Sequence, residues 1–350
     1  MLNQLDLYNF RCYDYKKINF SKGINIILGE NASGKSSIVE AINIIGTCKS
    51  FRTYNDRDII KFNKDFYSII ANTDEGLISI LYSKGDKRVS VNEQNIKSMS
   101  KYIGTINTVL FSPEDLRLIK GDPKNRRRFL DVCVSQNDKE YLETLIEYNR
   151  ILKERNELLK KISYDGTNLD KNNEIMLDIY SETLINKARV LIIKRREFLV
   201  KLQKVVSEKM RLMNRDELVK VIYNPNVNEN ELLEEFKRKK QQDLFTQTTN
   251  FGPHRDDFDI YVNEKRADSF ASQGQQRTIT LAIKIAYASL LQEKNKKVIM
   301  ILDDVYGELD EKRQKDLIKM LDLNNQIIIT TTTLNSVDEE ILNKSKVIKL

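Results

Sequence analysis

The sequence predicts an α/β fold, with mixed sheets and flanking helices, into which a helical arm is inserted. Three observations predict it. An apolar run at positions 24–28 meets a glycine loop and then a helical pattern from Lys35 to Ile45. That strand–loop–helix order is the context of a phosphate-binding loop. Between Lys139 and Arg215 glycine falls to Gly166 alone, proline is absent, and leucines recur every seven residues. After about Leu244 strand and turn patterns return, ending in the apolar runs Val298–Leu302 and Ile327–Ile329, of the kind buried in parallel sheets.

The elements follow in order. Ser68–Ala71 and Ile78–Tyr82 read as further strands, with Gly76 and Lys84–Asp86 as turns. In the arm, Leu145, Leu152 and Leu159 repeat at seven, with Tyr148 and Ile162 between the repeats. A polar break at Ser163–Asn173 precedes a second repeat of seven at Leu177, Leu184, Leu191, Phe198 and Val205. Two such helices joined by a polar loop predict an antiparallel pair. Arg155 and Arg195 interrupt the seams, so the arm is a short packed hairpin rather than a long coiled coil. Phe258–Val262 reads as a strand and Thr278–Leu291 as a helix. The expected organisation is a discontinuous head, 1–120 plus 245–350, around an arm at 121–244.

Composition narrows the function classes. Of 350 residues, 40% are hydrophobic and 31% charged, with a net charge of +7. The stretch from 139 to 215 holds 17 basic and 12 acidic residues, so most of the excess sits on the arm. Such an excess suits a polyanion, nucleic acid or an acidic membrane face, or is a solvated basic surface. Cys12, Cys48 and Cys133 are far apart and make neither a disulfide framework nor a zinc site. The only histidine is His254, which excludes histidine metal clusters. No apolar run reaches the roughly 20 residues that span a bilayer. The first ten residues lack a signal-peptide pattern, and the expectation is a cytoplasmic protein with no membrane partner.

Gly29, Glu30, Asn31, Ala32, Ser33, Gly34, Lys35 and Ser36 match G-x-x-x-x-G-K-[ST]. The loop's N–H groups and helix N-terminus suit phosphates, Lys35 the β/γ-phosphates and Ser36 a Mg²⁺ ion, so ATP and Mg²⁺ are the expected cofactors. Val298–Leu302 runs into Asp303 and Asp304. Asp303 is placed to hold Mg²⁺, and Asp304 to orient or deprotonate the attacking water.

Ser272, Gln273, Gly274 and Gln275 precede a long helix and resemble the LSGGQ signature of ABC ATPases. That resemblance implies a P-loop ABC-type ATPase head. In those proteins the signature completes the partner's site, which implies an ATP-dependent homodimer. Gly307–Asp310 resembles the D-loop, with Asp310 communicating between the two sites. At Thr330–Thr333 transporter-type ABC proteins carry a switch histidine; a threonine must serve here, and Thr332 is the choice.

Further landmarks resemble the bacterial RecF DNA replication and repair family. They are Asn9-Phe10-Arg11-Cys12-Tyr13, Cys48–Thr53, Phe111–Leu116, Arg126–Asp131 and Gly252–Asp257, in family order. The resemblance covers the chain from residue 9 to about 332 and the arm only weakly. It implies that Arg11 and Ser37 join the nucleotide site. It also implies a weak, DNA-stimulated ATPase whose ATP-closed dimer clamps duplex DNA at gaps and at single-strand/duplex junctions. RecR and RecO are the implied partners, with RecA loading, replication and the SOS response as the setting. Arg126, Arg127, Arg128, Lys194, Arg195 and Arg196 are candidate DNA contacts, through phosphates; Lys237–Lys240 is a further basic cluster.

Two departures stand out. No Q-loop glutamine is evident between Val109 and Ser135, and Asp304 stands where most ABC ATPases carry glutamate, which predicts slow hydrolysis. Two other readings remain. A transporter's nucleotide-binding subunit shares the loop, signature and acids. The missing switch histidine and the 235 residues between Ser36 and Ser272 count against it. A non-hydrolysing, ATP-gated scaffold is kept open by Asp304. For His254 a polar turn packed against the head is favoured over a contact to DNA or nucleotide.

Overall fold

The computed structural model describes residues 1–164, 170–213, 217–293, 296–304, 314, 317, 325–335 and 337–350. They divide into two compact units, 1–116 with 208–216 and 273–350, and 117–207 with 217–272. Residues 245–272 therefore group with the helices and not with the head, unlike the division expected from sequence. The reason is strand pairing: Val219–Asn224 pairs antiparallel with Asp257–Val262, which pairs with Lys265–Arg266.

The first unit holds a five-stranded parallel sheet. Its order is Ser345–Lys349, Ile24–Leu28, Gln326–Thr331, Val298–Leu302 and Asn107–Phe111. The last three strands are buried at every position. Strands covered on both faces need continuous apolar runs, which is why Val298–Leu302 and Ile327–Ile329 were legible in the sequence, while Asn107–Phe111, opening on two polar residues, was not. The phosphate-loop helix Lys35–Thr47 and the helix Gln273–Gln292 both contact the edge strand Asn107–Phe111. In the second of these helices Lys284 is buried, and its Nζ reaches Leu110 O at 2.8 Å and Asp115 at 2.8 Å.

A second sheet in this unit is antiparallel. Its order is Tyr13–Asn19, Leu2–Phe10, Phe66–Thr73, Gly76–Ser83, Asp86–Val91 and Gln94–Asn95. One face carries Leu5, Leu7, Tyr67, Ile69, Ile78, Ile80 and Val89 into the core. The buried amide of Gln326 joins the two sheets. It accepts from Leu2 N at 2.8 Å and donates to Leu2 O and Ser21 O, both at 2.7 Å.

The long helices Lys139–Tyr164 and Lys171–Leu212, the second of which belongs to the second unit as far as Ser207, run antiparallel. Contacts between Arg155 and Ser181, Lys187 and Glu147, and Lys194 and Asp138 set the register. Leu177, Leu184, Leu191, Phe198 and Val205 are all buried, as the repeat of seven requires. On the first helix the buried line is Tyr141, Tyr148, Arg155 and Ile162, while Leu145 and Leu152 are only half-buried. The two arginines that break the apolar seams lie in them, among the largest fully buried side chains of the chain.

Candidate nucleotide site

The Ile24–Leu28 strand ends in the phosphate loop, which closes onto the helix starting at Lys35. The loop needs positive φ at Ala32 (66°) and Gly34 (98°). A Cβ on Gly34 would lie 2.2 Å from Tyr13 Oη, so the neighbouring strand enforces that glycine as well. Tyr13 Oη donates to Ser33 O at 3.1 Å. Gly29 N donates to Thr331 O at 3.2 Å and ties the loop to the Gln326–Thr331 strand.

Lys35 is buried and turned inward. Its Nζ donates to Gly29 O at 2.8 Å and to Glu30 O at 2.9 Å. Ser33 Oγ is buried and makes no hydrogen bond. An unsatisfied buried hydroxyl is costly, and a phosphate oxygen would satisfy it. Inward-turned ammonium, open helix N-terminus and orphaned hydroxyl therefore fit a phosphate chain.

The acids lie at the end of the adjacent strand. Asp303 is buried, and its N–H donates to Phe111 O at 2.8 Å. Burial pushes its carboxyl up to about 6; the charge of Asp304 adds to this, while bonds from Thr330 and Ser36 and the charge of Arg52 oppose it. Asp304 is half-buried in a left-handed conformation, φ 53°. The Ser36 hydroxyl and the Asp303 carboxylate thus meet as two hard oxygen donors, which fits Mg²⁺. Among the described residues no cluster of three or more His, Cys, Asp or Glu side chains suits a metal.

The threonines sort themselves by geometry. Thr330 Oγ1 donates to Asp303 Oδ1 at 2.9 Å and accepts Asp304 N–H at 2.9 Å. Thr332 is exposed beyond the strand end, and the hydroxyl that meets the acids is that of Thr330. The sequence contained Thr330 in the same run of threonines but gave no means of choosing it. Ser37 is buried on the loop helix, with its Oγ 3.8 Å from Cys12 Sγ. Arg11 is committed to Glu40 through Nε at 2.8 Å and Nη2 at 2.6 Å, and to Asp58 O at 2.6 Å. Glu40 was missed in the sequence. It is a fully buried acid on the loop helix and also takes Ser50 Oγ at 2.5 Å and Arg52 at 3.6 Å. A lone acid on the buried face of an apolar helix was its signal.

Gln273 opens the helix Gln273–Gln292, and the boundary between the compact units falls between Ser272 and Gln273. Ser272 and Gln273 are exposed, while Gly274 and Gln275 are half-buried. Asp310 lies outside the described residues.

The basic residues expected to line a DNA path need correction. Arg195 and Arg126 are buried, because their guanidiniums close ion networks inside the second unit. Arg126 pairs with both carboxylate oxygens of Asp257 at 2.7 and 2.8 Å. Burying a guanidinium requires such acids, so in this fold both guanidiniums are engaged by partners inside the second unit. Lys194 is paired with Asp138 and Glu140, both at 2.7 Å, and Arg196 with Glu229. Arg127 Nη1 donates to Asp256 O at 2.7 Å, and Arg128 is half-buried.

His254 lies in the turn Pro253–Arg255, where its Nε2 donates to Thr249 O at 3.0 Å and its Nδ1 accepts from Tyr148 Oη at 2.7 Å. It is a packed polar turn, but its partners Tyr148 and Thr249 belong to the second unit and not to the head expected from sequence. Burial pushes its ionisation down to about 4 from 6.5, with Arg255, Arg127 and Arg195 adding to the fall. The unfolded chain therefore takes up the proton first. Stability should be lost as pH falls from about 6.5 towards 4, by up to about 3 kcal/mol. Urea midpoints at pH 7 and pH 4.5 for the wild type and His254→Gln check this. Equal pH slopes in the two proteins would remove His254 from the acid response.

Comparison with known proteins agrees with this geometry. The family model "RecF/RecN/SMC N terminal domain" matches residues 1–349. The "DNA replication and repair protein RecF" of Bacillus thuringiensis (strain Al Hakam) is 37% identical, over 99% of this chain and 96% of its own. That of Bacillus cereus (strain B4264) gives the same figures. Among solved structures, a RecF–ATP structure described as a recombination mediator of the RecFOR pathway superposes with a TM-score of 0.87 at 33% identity. It covers 96% of this chain and 93% of the other. A Pyrococcus furiosus Smc head shares the fold, with a TM-score of 0.53 at 17% identity, covering 99% of this chain and 92% of that one. No described helix is long and apolar enough to cross a membrane. A phosphate loop facing two strand-end acids in a head of this fold, matched along nearly its whole length by RecF proteins, places the chain in the RecF family of DNA replication and repair proteins.

Proposed function

We propose that this chain is an ATP-dependent DNA-binding ATPase of recombinational repair. ATP closes two copies into a dimer that clamps duplex DNA beside a gap, and slow hydrolysis releases it. RecR and RecO are its partners, and RecA loading on single-stranded DNA is the outcome. The observation that carries the reading is the set of Lys35, Ser36, Asp303 and Asp304 gathered around one loop. The exposed start of the Gln273–Gln292 helix supports capping of a second copy's phosphates, since a helix N-terminus favours anions.

In this reading Lys35 leaves the loop carbonyls for the β/γ-phosphates, and the orphaned Ser33 hydroxyl joins them. Ser36 and Asp303 would hold Mg²⁺, which when bound would neutralise phosphate charge. Asp304 orients the attacking water and accepts its proton. The bond from water oxygen to the γ-phosphorus forms as the bond from that phosphorus to the β,γ-bridging oxygen breaks. ADP and phosphate leave.

The test is an ATP titration that follows molecular mass and affinity for a gapped duplex. Both should rise together in the wild type. In Asp304→Asn they should still rise while phosphate release falls by about 100-fold. Mass and DNA affinity that ignore ATP would sink the clamp. Equal phosphate release from the two proteins would leave a scaffold that uses ATP only as a ligand.

A further inference from the structure

The roles assigned to Asp303 and Asp304 leave open what fixes the two acids relative to one another. We propose that Thr330 is a positioning residue for hydrolysis, its hydroxyl bridging Asp303 and Asp304. The proposal rests on the hydrolytic reading of the site.

The parallel register pairs Leu302 with Ile329 and so brings Thr330 beside the acids. Its hydroxyl uses both of its hydrogen-bonding capacities there. The proton goes to Asp303 Oδ1 at 2.9 Å, and a lone pair receives Asp304 N–H at 2.9 Å. Asp304 Oδ1 lies farther away, at 3.4 Å. The donor bond therefore holds the carboxylate that faces Ser36. The carboxylate of Asp304 receives no short bond from Thr330, whose proton goes to Asp303 instead.

The accepted bond matters as much. Asp304 is held at φ 53°, a left-handed conformation that the β-carbon disfavours outside glycine. The bond from its N–H to Thr330 Oγ1 holds the backbone at this position, from which the side chain departs. Thr330 is fully buried and follows the apolar residues Ile327, Ile328 and Ile329 in its strand. A hydroxyl there is costly to bury unless both its partners are supplied. Valine has the same shape and would fill the place without that cost if packing were the only requirement.

Thr330→Val removes the hydroxyl and keeps the shape; Thr330→Ser keeps the hydroxyl and drops the methyl. Steady-state phosphate release by the full chain gives kcat and KM, and a fluorescent ATP analogue gives binding. Thr330→Val should lower kcat by roughly 10- to 100-fold through misplacement of the water-orienting acid. KM and analogue binding should stay within about threefold, since only a transition-state interaction is lost. Thr330→Ser should turn over within about threefold of the wild type. A kcat unchanged in Thr330→Val overturns the proposal. So does a fall in Thr330→Ser as large as in Thr330→Val. If Thr330→Val does not fold, Thr330→Ala replaces it, and equal kcat in the Ala and Ser variants overturns the proposal. Wild-type turnover no greater than that of Asp304→Asn overturns the hydrolytic reading itself and Thr330 with it. Turnover in the wild type that Thr330→Val matches overturns only Thr330.

Discussion

Lys35→Ala is expected to weaken ATP binding by about 3 kcal/mol, roughly 100-fold in Kd. The side chain is already inside the loop that would hold the phosphates, bound to Gly29 O at 2.8 Å and Glu30 O at 2.9 Å. Nucleotide binding exchanges two carbonyl partners for charged phosphate oxygens, and bonds between ionised groups are the stronger kind. Little side-chain freedom remains to be lost, because Lys35 is only 4% exposed. The truncated variant keeps the loop's N–H groups and the helix N-terminus, so residual affinity should remain. Folding should be nearly unaffected, since the two released carbonyls stand at the loop and can turn to water. Isothermal titration with ATP and a thermal melt without nucleotide separate these effects. An unchanged Kd would show that the loop does not use its lysine. A large fall in melting temperature would show that the lysine's principal role is to hold the loop together.

The head was legible because its signals are local. Strands buried on both faces must be apolar runs, and a loop that wraps phosphate must place glycines at fixed spacing. Both survive in a linear reading, as Val298–Leu302 and Gly29–Ser36 show. What the sequence hid is long-range pairing. Thr330 and Thr332 carry the same side chain, and only the register against Leu302 selects the one that reaches the acids. Glu40 gains its meaning from Arg11, 29 positions away. The boundary near residue 272 is set by pairing of Asp257–Val262 with Val219–Asn224, and no shift in composition marks it.

The partners of the basic clusters were hidden for the same reason. A run such as Lys194-Arg195-Arg196 has one sign along the chain, but the fold supplies acids from elsewhere. Asp138, Asp131, Asp256 and Glu229 neutralise it. The better clue was the position of Arg195 and Arg155 within apolar seams. A charge in a seam is either an error of register or a buried ion pair, and here both arginines are paired. Arg155 meets Asp243 at 2.8 Å and Thr249 at 2.7 Å, with Phe236 beneath its guanidinium at 5.4 Å.

Arg195 therefore gives the second large effect, on stability rather than on ligand binding. Its guanidinium donates to Asp256 Oδ2 at 2.8 Å, Pro253 O at 2.7 Å, Asp131 Oδ1 at 2.8 Å and Tyr141 Oη at 2.9 Å. Asp256 in turn receives Tyr223 Oη and, at 2.8 Å, Asn226 N. One side chain thus links both long helices, the helix before them, the small sheet and the Gly252–Asp257 turn. Arg195→Leu keeps the apolar seam but leaves Asp256, fully buried, without its cation. Breaking a buried pair from one side costs about 3–5 kcal/mol. Arg195→Lys should recover only part of this, because an ammonium cannot reproduce the planar fork that reaches four acceptors. Urea unfolding read by helix circular dichroism should show Arg195→Leu with the lowest midpoint, Arg195→Lys between, and the wild type highest. A DNA-contact role predicts the opposite separation, with midpoints unchanged and gapped-duplex affinity reduced in the folded variants. The two measurements on one set of proteins decide whether this charge belongs to the core or to the DNA path.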